Sequence, residues 1–304
     1  MNYEEFKERF TEEIQDLVKM HDEDIELQPT VISKVNRKCD AISVGTPGEI
    51  VRPIINITEA YKQSDGNVKE IAESMWKNAL EAMEIAPKIP DFTLENAKSH
   101  LYCEVVNIEK NNDMLKDVAY RPIGDVALIA RWDVMENGST LVTKGLCDRI
   151  GITQEEALEL AYNRTLTMDY NIRDMMSVMS GILFGEDSDM QLPKQEGPSM
   201  YVITCNDNPC GAVAIAVPEV MENVSKELGG DFYILPSSRY EVIAIPKDVN
   251  SNVRELEEMV QSINRTELDE KDFLSDRVYQ YDSKSRSVSM AEPELPMRTR
   301  AKCR

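Results

Sequence analysis

The sequence predicts an α+β fold in which mixed or antiparallel sheets pack against amphipathic helices. Three observations carry this reading. Apolar residues recur at three- and four-residue spacing in several long stretches. Short apolar runs bounded by Gly, Pro, Asn and Asp alternate with those stretches. Of the 304 residues, 42% are hydrophobic, which suffices for a sizeable core.

The elements follow in order. Tyr3, Phe6, Phe10, Ile14, Leu17 and Val18 share one face of an opening helix, leaving Glu4, Glu5, Glu8 and Glu12 to solvent. Val31–Val35, Ala41–Val44 and Ile50–Ile57 read as short strands, broken at Gly45, Pro47 and Gly48. Val68, Ile71, Ala72, Met75, Trp76, Ala79, Leu80 and Met83 form the clearest helical stripe, closed by Pro87 and Pro90. A short helix over Leu94–Ser99 leads into a strand over Leu101–Ile108. Lys110–Lys116 is polar, and Pro122 breaks the pattern. Asp125–Met135 is apolar enough for a strand buried on both faces, and Asn137–Gly138 turns it into a strand at Thr140–Thr143.

Thr153 and Glu156 make a capping box before Ala157, Leu158, Leu160 and Ala161. A Met-rich helix is expected over Ile172–Phe184, followed by a loop or linker at Gly185–Pro198. Met200–Thr204, Ala212–Val217, Phe232–Leu235, Glu241–Ile245 and Val278–Tyr281 read as strands. Helices are expected over Glu219–Leu228, stopped by Gly229–Gly230, and over Val253–Ile263. Arg265 and Glu267 are placed to hold that last helix end by charge-assisted bonds. The tail 283–304, with six basic and two acidic residues and few large apolar groups, is expected to be disordered. The expected organisation is an N-terminal lobe over 1–123, a C-terminal lobe over 124–282 and that basic tail, with the Gly185–Pro198 linker an equally fair place for the cut.

Composition excludes several roles. No stretch reaches the ~20 apolar residues of a membrane span, and the Glu-rich start is unlike a signal or transit peptide. The six cysteines are therefore expected to stay reduced in a cytoplasmic protein. A formal charge of −21 opposes direct nucleic-acid binding, which depends on phosphate neutralisation. Its even spread fits a solvated surface better than the ordered acidic rows of a nucleic-acid mimic. Cys205 and Cys210 are the only close cysteine pair, and His21 and His100 are the only histidines, so no metal or cofactor site is expected. Phosphate-binding loops, dinucleotide turns, His-Glu-x-x-His helices and nucleophile elbows are missing from the sequence.

The candidate catalytic residues are Ser237, Ser238 and Glu241, in the Pro236–Glu241 loop between two apolar strands. A serine nucleophile needs a base within hydrogen-bond reach, and the bland reading of both hydroxyls is a turn bonded to nearby backbone. Asp125, Asp133 and Asp207 read as strand-end caps or turn formers.

Several segments resemble one uncharacterised bacterial family, the domain of unknown function 5688. They are Met1–Phe6, Asp125–Ile129, Met200–Thr204, Gly229–Ser238, Glu241–Ile243 and Asn264–Thr266, and the resemblance covers about 1–282. It implies a bacterial cytoplasmic protein and no activity. In that family the Leu-Pro-Ser-Ser segment is commonly followed by a hydrophobic residue and then His-Glu; here Arg239 and Tyr240 precede Glu241, so the imidazole is missing. The expectation is a protein-interaction module without catalysis, its partner a protein. The alternatives are a hydrolase or transferase with a carboxylate/serine site at the 236–241 loop, and an acidic nucleic-acid mimic.

Overall fold

The computed structural model describes residues 1–21, 24–48, 52–85, 92–135, 138–185, 199–236, 238–247 and 252–293. The chain divides into two compact units, 1–91 and 92–304.

The first unit contains α1 (Tyr3–His21), β1 (Glu26–Lys34), β2 (Arg37–Gly45), β3 (Ile54–Asn56), α2 (Ile57–Gln63) and α3 (Val68–Ile85). Its sheet is antiparallel in the order β1-β2-β3. The β1–β2 hairpin closes with a two-residue turn in which Asn36 takes a positive φ of 63°, a conformation asparagine tolerates better than most residues. Phe6, Phe10, Ile14 and Val18 of α1 are buried with Val68, Ala72, Trp76 and Ala79 of α3 and with Ile42, Val44 and Ile55 of the sheet. Both expected helical stripes therefore face the core. The expected strand at Ile50–Ile57 begins within 49–51, outside the described residues, and ends in the short β3 before Asn56 caps α2.

The second unit holds two antiparallel sheets. In the first, β6 (Val126–Met135) pairs along one side with β4 (Leu101–Asn107). Along its other side it pairs with β5 (Tyr120–Ile123) and then β7 (Gly138–Leu141). The expected division at 123/124 is corrected by this sheet. That cut falls in the tight turn at Gly124, whose φ of +61° and contact with Tyr279 leave no room for a side chain. It would separate β4 and β5 from the strand both pair with. Pro122 does not end the pattern, because β5 is an edge strand that needs no ladder donor on its outer side. Asn137 lies outside the described residues.

The second sheet runs β13-β12-β10-β11-β9-β8. Its strands are β8 (Tyr170–Asp174), β9 (Tyr201–Cys205), β10 (Phe232–Leu235), β11 (Val242–Pro246), β12 (Tyr279–Asp282) and β13 (Ser287–Met290). Around the sheets stand α4 (Leu94–His100), α5 (Lys144–Ile150), α6 (Gln154–Thr165), α7 (Met175–Phe184), α8 (Pro218–Leu228) and α9 (Val253–Thr266). One buried cluster joins Leu101, Cys103, Val105, Leu128 and Trp132 to Ala157, Ala161, Ile203, Val213, Phe232 and Ile234. The Thr153–Glu156 capping box opens α6 as expected.

Three expectations give way here. Ala212–Val217 is not a strand: Gly211–Ala216 is a buried 3-10 helix whose small side chains pack without alternation. The Met-rich helix starts at Met175, since Tyr170–Asp174 is spent on β8 and Asp174 caps α7. The tail begins later than 283. Asp282 accepts from the Lys284 and Ser285 N–H groups at 3.0 and 2.6 Å, turning the chain into β13. Residues 294–304, like the expected linker over 186–198, lie outside the described residues.

Gly211 sits where a Cβ would lie 2.4 Å from the Tyr240 carbonyl oxygen and 2.7 Å from the Cys205 nitrogen. Both are backbone atoms, so neither can rotate away. G211A is expected to cost about 2–3 kcal/mol of stability in urea titrations.

Candidate functional site

The Pro236–Glu241 loop joins β10 to β11. Ser237 lies outside the described residues. Ser238 is buried, and its Oγ accepts the Tyr240 N–H at 3.0 Å, closing a local turn. Glu241 is half-buried immediately before β11. The loop is pinned from several sides. The Arg239 N–H donates to the Asp272 carbonyl at 3.1 Å, the Ala212 N–H donates to the Arg239 carbonyl at 3.1 Å, and the Tyr240 hydroxyl donates to Asp272 Oδ1 at 2.6 Å. That last bond, with burial, pushes the Tyr240 hydroxyl up to about 12.

Arg239 turns inward and carries the loop's main tertiary contact. Its guanidinium meets Glu104, which is 1% exposed in the middle of the fully buried strand β4. Arg131 on β6 approaches the other carboxylate oxygen, with Nε 3.4 Å from Oε2. Arg131 also donates to Ser139 Oγ at 2.8 Å, and Arg239 donates to Cys210 Sγ at 3.3 Å. Burial opposes the Arg239 charge, but Glu104 outweighs it and holds the guanidinium more firmly protonated than usual. Burial and then the Glu104 charge push the Cys210 thiol up to about 12. A guanidinium thus stands on each oxygen of the Glu104 carboxylate.

The remaining candidates are similarly engaged. Asp125 accepts both the Tyr279 hydroxyl and Ser275 Oγ, the latter at 2.8–2.9 Å. Asp207 accepts the Asp169 N–H at 2.8 Å. Asp133 is half-exposed opposite Ser139. His100 stacks on Trp132, with ring centroids 6.0 Å apart. In the first unit, His21 meets Trp76 edge-on. The end of α9 is tied by Asn264, which donates to the Ser275 carbonyl and to Asp276 at 2.9 Å each. Arg265 turns to Gln261 instead of serving that end as expected.

The first unit has an open cleft of about 670 Å³ between the polar face of α1 and the β1–β2 hairpin. At its wall Asp40 accepts from the Tyr3 hydroxyl at 2.7 Å and pairs with Lys7 at 2.9 Å. These partners hold Asp40 below the usual carboxylate range and Lys7 above its own, with the polar atoms satisfying one another.

A different kind of surface lies on α7. Its sequence, Met-Met-Ser-Val-Met-Ser-Gly-Ile-Leu-Phe, holds no charged residue, and its single buried side chain is Ser180. Ile182 is 79% exposed and Leu183 61%, with Met179 and Phe184 also exposed. Met179, Ile182 and Leu183 stand at i, i+3 and i+4, one stripe on the helix surface. This is the reverse of ordinary amphipathicity: the serine bonds back to the Met176 carbonyl at 2.8 Å while the large apolar groups meet water.

Loop motifs led sequence reading to the serines. The single carboxylate inside the apolar run Leu101–Asn107 was the available signal for Glu104, and an uncharged ten-residue stretch was the signal for α7.

The model of a family of unknown function, DUF5688, matches residues 3–283. No curated protein and no solved structure matches the chain.

E104Q leaves two guanidiniums facing a neutral amide and is expected to cost about 3 kcal/mol, read by urea unfolding. R239M, which keeps Arg131 on the carboxylate, should cost less. The thiols of Cys103 and Cys210, both pushed up to about 12 by burial, stay protonated at neutral pH. Neither should react with an aromatic disulfide reagent in the native protein, and both should react in urea, as mapped by mass spectrometry.

Proposed function

The chain belongs to the DUF5688 family, and from that premise we propose that it is a protein-interaction module, docking without catalysis through the apolar face of α7. The exposed stripe of Met179, Ile182 and Leu183 carries this reading. Contiguous exposed apolar side chains of this size are costly in water, and such patches mark contact surfaces. The chain is 29% charged, yet α7 has no charge among its ten residues, and charge depletion marks the centre of protein interfaces. The Ser238 and Tyr240 hydroxyls of the 236–241 loop, by contrast, are engaged with the Tyr240 N–H and with Asp272.

The proposed setting is a bacterial cytoplasm, which suits the buried free thiols of Cys39, Cys103, Cys147, Cys205 and Cys210. Among the described residues no helix is long and apolar enough to cross a membrane. A formal charge of −21 argues against a phosphate backbone as the docked species.

The test compares immobilised wild-type protein with the double variant I182E/L183E, after circular dichroism has verified its fold. Wild type should retain a stoichiometric protein, identified by mass spectrometry, and the variant should bind it at least about tenfold more weakly. Equal retention by both overturns the reading, and so does a wild type that neither retains a stoichiometric protein nor self-associates.

A further inference from the structure

We infer that the species docking on this face is a second copy of the chain, joined about a dyad through the edge strand β8 and helix α7. The inference rests on the docking reading above and names its partner.

Among the described residues β8 is hydrogen-bonded to β9 alone and ends the six-stranded sheet. The flanking bonds set the phase of that ladder. The Asn206 N–H donates to the Asp169 carbonyl at 2.9 Å, and the Met175 N–H donates to the Met200 carbonyl at 2.8 Å. Residues at odd positions of β8 therefore turn their backbone groups toward β9. Tyr170, Ile172 and Asp174 turn theirs toward the open edge. An open edge in that phase is a template for another strand.

The strand is complementary to itself. An antiparallel pairing centred on Ile172 sets Ile172 against Ile172 of the partner subunit and Tyr170 against Asp174 of the partner subunit. Asn171 then faces Arg173 of the partner subunit. All outward-facing positions pair with outward-facing positions, as a ladder requires, and no like charges stand opposite each other. The Asp174 carbonyl is occupied by its helix-capping position, so the ladder draws on Ile172, the Tyr170 carbonyl and the Asp174 N–H.

Helix α7 continues directly from β8 and brings Met179, Ile182, Leu183 and Phe184 with it. A stable interface takes roughly 800 Å² from each partner, more than one ten-residue helix supplies. A dyad makes every exposed residue of β8 and α7 count twice in one contact. The charge balance points the same way. Two copies at −21 each repel, so their contact must fall where charge is lowest, and α7 has none.

Sedimentation velocity on the full chain tests this at about 100 µM, in low salt and in about 0.5 M NaCl. The expected species has twice the 34.5 kDa of one chain, and its affinity rises with salt as the net repulsion is screened. N171R puts an arginine opposite Arg173 of the partner subunit and should weaken the dimer about fivefold. I182E/L183E should sediment as a monomer. A monomeric wild type at high salt overturns the inference, and so does a dimer that neither N171R nor I182E/L183E weakens. If wild type is monomeric yet retains a foreign protein that I182E/L183E loses, the second copy is ruled out while the docking reading stands. If it is monomeric and retains nothing, both fall.

Discussion

One buried carboxylate organises the larger unit. Glu104 stands inside a strand with all seven residues buried, where an unpaired charge would cost several kcal/mol. Arg131 arrives from the neighbouring strand β6, and Arg239 from the β10–β11 loop of the other sheet. The pairing therefore works between sheets as well as within one, and it brings the loop against β4. Asp272 and Gly211 then hold that loop at Tyr240, and Cys210 lies under the same guanidinium. Replacing such a triad with well-packed apolar groups often leaves stability unchanged or improved. Its contribution here is better placed in register, since only one alignment of β4, β6 and the loop brings both guanidiniums to one carboxylate.

A second polar lock ties the start of β6 to β12 of the other sheet. Asp125 accepts from Tyr279 on β12 and from Ser275, while the backbone N–H of Arg277 donates to the Ser275 hydroxyl at 2.9 Å. Gly124 is required beside it because Tyr279 occupies the space a side chain would need. The two locks bear on different stretches of β6, so the apolar cluster between the sheets supplies cohesion and the polar groups supply alignment.

Legibility in the sequence followed the kind of force at work. Helices α1 and α3 were readable because their burial is one-sided, and period 3.6 records that directly. Strand β6 was readable as a continuous apolar run. Residues 211–216 were misread because a buried segment of small residues has no period to distinguish a strand from a 3-10 helix. The hairpin of β12 and β13 was missed because β13 is mostly exposed, and its turn depends on the side chain of Asp282. The lobe boundary failed for a related reason: strand pairing across β6 is non-local and leaves no mark at Gly124. At the candidate site, the turn role of Ser238 was legible as local chemistry, while Arg239 was visible only as a departure from the family pattern. Its partner lies 135 residues away, and no local spacing encodes it.

Inside and outside are thus exchanged at two places in one unit. Ions that belong in water are buried at Glu104, where three elements converge to pair them. Apolar groups that belong in a core are exposed on α7, where the residue turned inward is a serine. The first exchange is internally compensated, because each oxygen of the carboxylate meets a cation. The second has no compensation within the described residues: burying Ile182 or Leu183 would return roughly 1.5–3 kcal/mol per side chain. A chain that spends charged residues freely elsewhere, to a net −21, omits them from the ten positions of this helix. Solubility alone would favour adding charge there, and the proposed docking role is what would account for the omission.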